Sequence, residues 1–471
     1  MINAADFQAM TPWLVLTGTA VVVLLQITIA RAHAASALLS VAGLVAALAT
    51  IRHAAQAAPR QVTPLFTVDG FALFFLALLL AGALVVVLLS VGPAGASSQR
   101  RGEHYLLLLL ATVGAAVLPA ATHFAAVILG VETLSVALFT LAAYPVFQER
   151  SVEAGLKYLV LAGVSAAILM FGIALVYAGT GSLALSAPIA ASPYALAGAL
   201  LILTGLGFKL SLVPFHLWTP DVYEGAPPTV TAYLATVSKG AVFVLLLRYL
   251  NTGAAPAALT GVLAGLGVIT MLAGNLLALQ QRDLKRLLAY SSIAHMGYLL
   301  VPMVAGGALA AETFGYYLAA YFVMTLMAFG VVTVMETETG ERDHSLERYR
   351  GLAWQRPGLA GVLAVAMLGL AGMPLTAGFV AKFYLFVAGV DAQRWVLLAA
   401  LVAGSAIGLF YYLRVIGQLL RQDAEAAAPR TGTFPLGHTT LWALLVLLVY
   451  LGVLPATLVQ WVQASAVTGL F

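Results

Sequence analysis

Residues 201–239 read LILTGLGFKLSLVPFHLWTPDVYEGAPPTVTAYLATVSK. An apolar run long enough to enter a bilayer contains Lys209, and Pro214 follows within the next few residues. Then come His216, a proline-rich loop, and a second apolar run that takes Lys239 with it. Proline inside a helix removes one backbone hydrogen bond and clashes with the carbonyl four residues back, here that of Leu210. A helix break and an ionisable group therefore stand almost side by side at membrane depth. Broken helices that line a polar cavity are how transporters build ion sites. The stretch reads as part of an ion path.

The whole chain has the matching composition. Its 471 residues are 62% hydrophobic and 8% charged, with mean hydropathy +1.01. Soluble domains carry about 25% charged residues, so this is an integral membrane protein. The net charge of +4 is too small and too scattered to argue for nucleic acid. There is no cysteine, which excludes disulfides, thiolate metal sites and iron–sulfur ligation in this chain. No glycine-rich phosphate loop or dinucleotide fingerprint follows a strand-like segment, so nucleotide and redox chemistry is expected on other chains. Residues 1–10 lack a basic n-region and the first apolar run is long enough to span, so no cleavable signal is expected.

A span needs about 20 mostly apolar residues. Fourteen candidates lie near 11–30, 34–51, 71–91, 105–121, 123–146, 157–179, 195–215, 229–250, 256–279, 286–306, 311–335, 358–390, 395–420 and 438–461. The fourth and fifth are separated only by a turn at Pro119. The twelfth is overlong and carries GLAGMPLTAG, which predicts a second broken helix at Pro374. The charged stretch 336–356 is expected to be a surface loop. The expected fold is thus an all-α membrane protein of fourteen helices. Because the two breaks fall five spans apart, spans 4–8 and 9–13 would form two repeats of opposite topology. The corresponding divisions are 1–104, 105–250, 251–422 and 423–471.

Basic residues orient the bundle. With both termini outside, the inner loops hold Arg31, Arg100, Arg101, Arg150, Arg282, Lys285, Arg286, Arg342, Arg348, Arg350, Arg356, Arg421 and Arg430. The outer loops hold only Arg52, Arg60, Arg248 and Arg394. That asymmetry favours termini facing out.

A charge near the bilayer centre costs roughly 2.5–3.5 kcal/mol on insertion scales, so a buried one is a functional candidate. Glu132, in AVILGVETLSVALF, lies near the middle of span five; the alternative is a structural carboxyl between helices. Lys209 and Lys239 sit too deep for easy snorkelling, with a structural ion pair to Glu132 as their alternative. Lys382, in GFVAKFYLF, follows Pro374 and could instead anchor at the interface. Lys157 could belong to the path or snorkel at the start of span six. His216 follows the break, and His295 lies mid-span in YSSIAHMGYLL; either could simply hydrogen-bond between helices. Neither has a second ligand three or four residues on, so no metal site is expected. Lys285 reads as topological, Arg414 as structural, and Asp221 with Glu224 as a solvated turn. Burial brings ammonium and carboxylate groups toward neutrality, and a nearby opposite charge reverses the effect. A chain of such groups, bridged by hydroxyls and water, is a proton wire whose occupancy can be driven.

Several stretches also carry a resemblance. EAGLKYLVL, LVYAGTGSL, GFKLSLVPFHLWTPDVYEGAP, YLATVSK and NLLALQQRDLKRLLAYSSIAHMGYLLV closely resemble the antiporter-like proton-pumping subunits of bacterial NADH–quinone oxidoreductase, respiratory complex I. The likeness runs over most of residues 100–420, with one local departure: Pro227 and Pro228 are adjacent, where the family often spaces them by one residue. A lysine on helix twelve and a short C-terminus favour the subunit N branch over sisters M and L. The resemblance implies fourteen helices in two inverted five-helix repeats, with helices seven and twelve broken. It implies Glu132 as the carboxylate of helix five and Lys209 as its partner. Lys239 would be the central relay and Lys382 the exit lysine, with His216 and His295 along the same axis. It implies neighbouring membrane and peripheral subunits as partners, with FMN, iron–sulfur clusters and quinone held there and no cofactor in this chain. A multi-pass place in the bacterial plasma membrane, surrounded by lipid, follows. A subunit of a multi-chain cation/proton antiporter is the alternative function.

Overall fold

The computed structural model describes residues 3–92, 101–145, 148–189, 192–252, 257–422 and 432–467. Arg100 and Arg430 lie outside the described residues, as does the expected boundary at 423. Helices α1 (Ala4–Ile29) and α2 (His33–Ala55) lead into a small hairpin, β1 (Arg60–Thr63) and β2 (Phe66–Val68). Then come α3 (Gly70–Leu89), α4 (Arg101–Val117), α5 (Phe124–Ala142), α6 (Glu149–Thr180) and α7 (Pro193–Leu210). The short α8 (Trp218–Gly225) precedes one long helix, made of α9 (Pro228–Tyr233), a π turn at Leu234–Ser238 and α10 (Lys239–Asn251). The chain continues with α11 (Ala257–Ala278), α12 (Leu284–Ala305), α13 (Gly307–Thr339), α14 (Leu352–Gln355), α15 (Pro357–Ala371), α16 (Ala377–Asp391), α17 (Trp395–Leu419), α18 (Pro435–Val453) and α19 (Pro455–Val467).

Among the described residues, thirteen helices are long and apolar enough to cross a membrane. The expected twelfth span is the pair α15 and α16. The sequence sets the helix ends locally. Asn3 and Asp6 form a reciprocal capping box, and Asp69, His123, Asp283 and Thr376 each accept a hydrogen bond from the first turn of the helix they precede. The helices α6 and α7 approach closely at Gly172 and Gly198, where a Cβ on either would lie 2.5–2.7 Å from the other's carbonyl oxygen. With no hydrophobic drive between helices in lipid, such small-residue contacts set the packing.

Burial is uneven, and the pattern places the polar groups. The spans 228–251 and 309–339 are wholly buried, and 284–305 nearly so, whereas the first two helices and α18 are buried over only a third of their length. The central helices are therefore wrapped in protein, where backbone irregularity and charge can be tolerated. The peripheral helices turn Leu, Val and Phe outward, as on the exposed face of α6 at Leu156, Val160, Val164 and Phe171.

Three expectations change in detail. The fourteenth span does not run unbroken through 438–461. Pro455 starts a new helix, and the carbonyl of Leu451, four residues earlier, instead accepts the Tyr316 hydroxyl at 2.7 Å. The stretch 336–356 is not all surface. The helix α13 runs on to Thr339, and Glu338 and Arg356 are buried together, 3.1 Å apart, with His438 at 2.9 Å from the same carboxylate. Asp221 and Glu224 are on α8 and not in a solvated turn. Asp221 pairs with Lys157 and Arg286, and Glu224 with Arg286, at 2.7–2.9 Å.

Candidate functional site

The first break lies where α7 meets Ser211, which caps it in the left-handed region at φ 61°. Residues 211–217 then turn, tied by the Leu212 amide to the Gly207 carbonyl and by the Val213 amide to Thr270 Oγ1 at 3.0 Å. Helix α8 resumes at Trp218. Its indole nitrogen donates to the Phe208 carbonyl at 2.9 Å, and its ring stacks on Tyr158 with centroids 4.7 Å apart. Lys209, on the last turn before the break, is buried. It donates to Ser135 Oγ at 2.5 Å and sits 5.9 Å from the centre of the Tyr158 ring. Ser135 lies one turn after Glu132 on α5, so the half-buried Glu132 shares that face, and among the described residues it makes no ion pair within 4 Å. His216 is buried in the turn, and its Nδ1 has no partner among the described residues.

Lys239 follows the π turn. Such turns insert an extra residue into the hydrogen-bond ladder and are frequent at functional sites. The side chain is 1% exposed. It donates to Ser292 Oγ at 2.9 Å and stands 5.3 Å from the Tyr223 ring centre. Ser292 in turn shares a 2.8 Å hydrogen bond with the Tyr321 hydroxyl. One turn along α12, His295 Nδ1 contacts the Tyr317 hydroxyl at 2.7 Å and Nε2 the Tyr412 hydroxyl at 3.3 Å. Ser291 closes on the same Tyr412 hydroxyl.

The second break ends α15 at Gly372, φ 82°, and passes Pro374 before Thr376 caps α16. Lys382, half-buried, points back across the break to the Ala371 carbonyl at 2.8 Å and lies 5.3 Å from the Tyr298 ring centre. Tyr298 meets His295 edge-on at 5.5 Å. The two breaks and the central lysine are thus joined by a line of side chains: Lys209 and Tyr158, Trp218 and Tyr223, Lys239 with Ser292 and Tyr321, His295, Tyr298, Lys382.

Residues 121–408 match the family described as NADH:quinone oxidoreductase/Mrp antiporter, transmembrane. The chain belongs to that family. Within the NADH:quinone oxidoreductase/Mrp antiporter family it is similar to the NADH-quinone oxidoreductase subunits N of several bacteria. That of Methylococcus capsulatus is 47% identical, covering 96% of this chain and 94% of the relative. That of Ectopseudomonas mendocina is also 47% identical, covering 99% and 98%. A chain of respiratory complex I from Thermus thermophilus, solved with bound aureothin, superposes with TM-score 0.84 at 35% identity, covering 95% of this chain and 98% of that one. A chain of the Mrp complex from Dietzia shares the fold, with TM-score 0.84 at 20% identity.

The remaining candidates fall outside that line in this family member. Lys157 is half-exposed and held by Glu153 and Asp221 at 2.8 and 2.9 Å. Burial works to raise the Asp221 carboxyl, but the bonds from Lys157 and Arg286 outweigh it and hold it below the usual range. Arg414 donates to the carbonyls of Leu279 and Gln281, a structural role as expected. Lys285 is not merely topological. It is 2% exposed and donates to the Glu224 and Ala226 carbonyls at 2.9 and 2.6 Å. It also lines a cavity of about 520 Å³ at the end of the bundle where the basic loops lie, together with His104, Glu336 and His344. Sequence reading missed the hydroxyls of Ser135, Ser292, Tyr317, Tyr321 and Tyr412. The only local signals were Ser291, Ser292 and His295 within one turn of α12, and Tyr317 with Tyr321 four apart on α13. Among the described residues no group of three or more His, Asp or Glu is placed to hold a metal ion.

Proposed function

We propose that this chain is the proton-translocating membrane subunit of a bacterial NADH–quinone oxidoreductase. Electron transfer from NADH to quinone proceeds on partner subunits, which hold FMN, iron–sulfur clusters and quinone. This chain carries no cofactor and moves protons along its buried side chains. The observation that carries the reading is Lys239, an ammonium sealed in the centre of the bundle beside a π turn, bonded to Ser292 and through it to Tyr321, whose ring lies 5.3 Å from that of His295. A buried cation that served only stability would be expected to sit against a carboxylate. Lys239 sits against a hydroxyl, which can both take and give a proton.

In this reading Glu132 biases Lys209, Lys239 relays, and Lys382 releases, with His295 between the last two and His216 beside the first break. Lys157 belongs to the ion-pair cluster on α8 and acts on the break through Asp221. Pro214 and Pro374 keep the two breaks open, and spans 4–8 and 9–13 are inverted repeats bounded near 105, 251 and 423. The excess of basic residues in one set of loops supports termini outside the bacterial inner membrane. Work against 100 mV is about 2.3 kcal/mol per charge, within reach of a shift in partner charges around one buried lysine. The test is Lys209→Ala and Glu132→Ala in the purified complex reconstituted into liposomes. The proposal expects fewer protons pumped per NADH oxidised; pumping equal to wild type for both variants refutes the path. Sodium-dependent transport without NADH would instead favour a cation/proton antiporter.

A further inference from the structure

Beside the line of lysines lies a buried amide that the path does not use. Asn275, on α11, is 1% exposed and fully occupied. Its Nδ2 donates to the Met271 carbonyl at 2.7 Å and to the Tyr298 hydroxyl at 2.8 Å. Its Oδ1 accepts from the Tyr411 hydroxyl at 3.0 Å. The Met271 carbonyl can only accept, so the atom facing it must be the nitrogen, and the amide cannot be turned over. The direction of each bond to the amide is then assigned. Tyr411 donates, and the Tyr298 oxygen accepts from the amide, which leaves the Tyr298 proton to point elsewhere. Two glycines on α17 make room. A Cβ at Gly404 would lie 2.9 Å from both Asn275 Nδ2 and the Tyr298 oxygen, and one at Gly408 would lie 3.1 Å from Asn275 Oδ1. Ser405, the residue after Gly404, brings a buried hydroxyl beside that of Tyr298.

We propose that Asn275 is a positioning residue: it pins the Tyr298 ring between His295 and Lys382 and fixes the direction of the hydroxyl bonds around it. The inference rests on the proton-path reading given above. The Tyr298 ring stands nearly perpendicular to that of His295 and turns its face toward the Lys382 ammonium. A ring face favours a cation within about 6 Å, so the orientation of this one tyrosine sets how Lys382 is held. An amide is also a poor proton carrier, because its NH₂ cannot give up a proton without leaving an anion. Hopping from Tyr411 through Asn275 to Tyr298 is therefore blocked. The proton reaches Lys382 from the His295 side and does not return through Tyr411.

The experiment uses the assembled complex in liposomes, with protons pumped per NADH as the readout. Asn275→Leu removes all three side-chain hydrogen bonds and is expected to lower pumping at least threefold. Asn275→Asp keeps the shape but puts an oxygen against the Met271 carbonyl, and is expected to lose as much. Adding Asn275→Leu to Tyr298→Phe is expected to cost little beyond Tyr298→Phe alone, because the amide acts through that hydroxyl; simple structural damage would add in full. Should Asn275→Leu fail to assemble, the Tyr298→Phe/Tyr411→Phe pair keeps the amide and removes both hydroxyl partners, and the same threefold loss is expected. Wild-type pumping in Asn275→Asp or in that pair overturns the inference. Lys382→Ala is the control. If it pumps normally the path reading has failed, whereas a loss there with none at Asn275 defeats this inference alone.

Discussion

Removing Arg248 while leaving Asp69 in place should be among the most damaging single changes outside the proton line. Arg248 and Asp69 are buried to 4% and 5% exposure, with two hydrogen bonds of 2.7 and 2.9 Å. The guanidinium also covers Phe71 at 5.0 Å. Their pairing fixes the far end of the helix that begins at Lys239 against the start of α3. Breaking a buried pair by removing one partner costs about 3–5 kcal/mol, because a charge is left uncompensated. Arg248 Nε has no partner among the described residues, which sets the expectation for Arg248→Met near 3 kcal/mol, roughly a hundredfold in the folding equilibrium. The double variant Arg248→Met/Asp69→Asn should recover most of that. Asn still accepts the Ala72 amide bond that Asp69 makes at 2.7 Å as the cap of α3, and methionine covers Phe71. Replacing a buried pair by neutral groups is often close to neutral overall. The assay is denaturant-induced loss of this subunit from the detergent-solubilised complex. A cost under about 1 kcal/mol for Arg248→Met, or a double variant no better than the single one, refutes the reasoning.

Ser292→Ala takes away the hydrogen bond that, among the described residues, holds the Lys239 ammonium. An orphaned bond to a charged group costs about 1.5–3 kcal/mol, and pumping per NADH should fall at least fivefold. Gly372→Ala meets a backbone at φ 82° and places a methyl 2.7 Å from Lys382 Cδ. It should destabilise by about 1–2 kcal/mol and reduce pumping, which a thermal-stability scan and the liposome assay measure together. The Asp221 carboxyl is held below its usual range, so the stability from its pairs is present above pH ~4 and is lost only as pH falls through the lowered value. Between pH 5 and 8, Asp221→Asn should cost a constant 1 kcal/mol or less, given the half-exposed partners; a cost that varies across that range contradicts the pairing. Tyr316→Phe should destabilise by about 1–3 kcal/mol by orphaning the Leu451 carbonyl, read as a lowered unfolding temperature.

Much of the fold was legible because a membrane imposes one rule on every segment. An apolar run of the right length becomes a helix, since no other open structure satisfies its backbone there. Both breaks were legible too, because Pro214 and Pro374 stand in runs that otherwise read as helix. The way the first helix ends was not. It stops at Leu210 through a left-handed Ser211, before the proline is reached, and no propensity rule favours serine there. Lysines stood out in apolar surroundings, but the groups they bond to did not. Serine and tyrosine are ordinary in membrane helices, and their partners are far apart in the chain: Ser135 meets Lys209, and Ser291 meets Tyr412. Lys285 was hidden for a related reason. Its basic neighbours in QRDLKR suggest a loop, and only the folded turn at Glu224–Ala226 supplies the carbonyls that bury it.

The proposed route converges on one ammonium in the middle of the bundle. Lys239→Met keeps the length of the side chain and its burial while removing the titrating group, so it separates proton relay from packing. The decisive measurement is protons pumped per NADH by the assembled variant complex in sealed liposomes. The expected result is an intact complex whose pumping falls well below wild type. Wild-type pumping by Lys239→Met would contradict the proposed route.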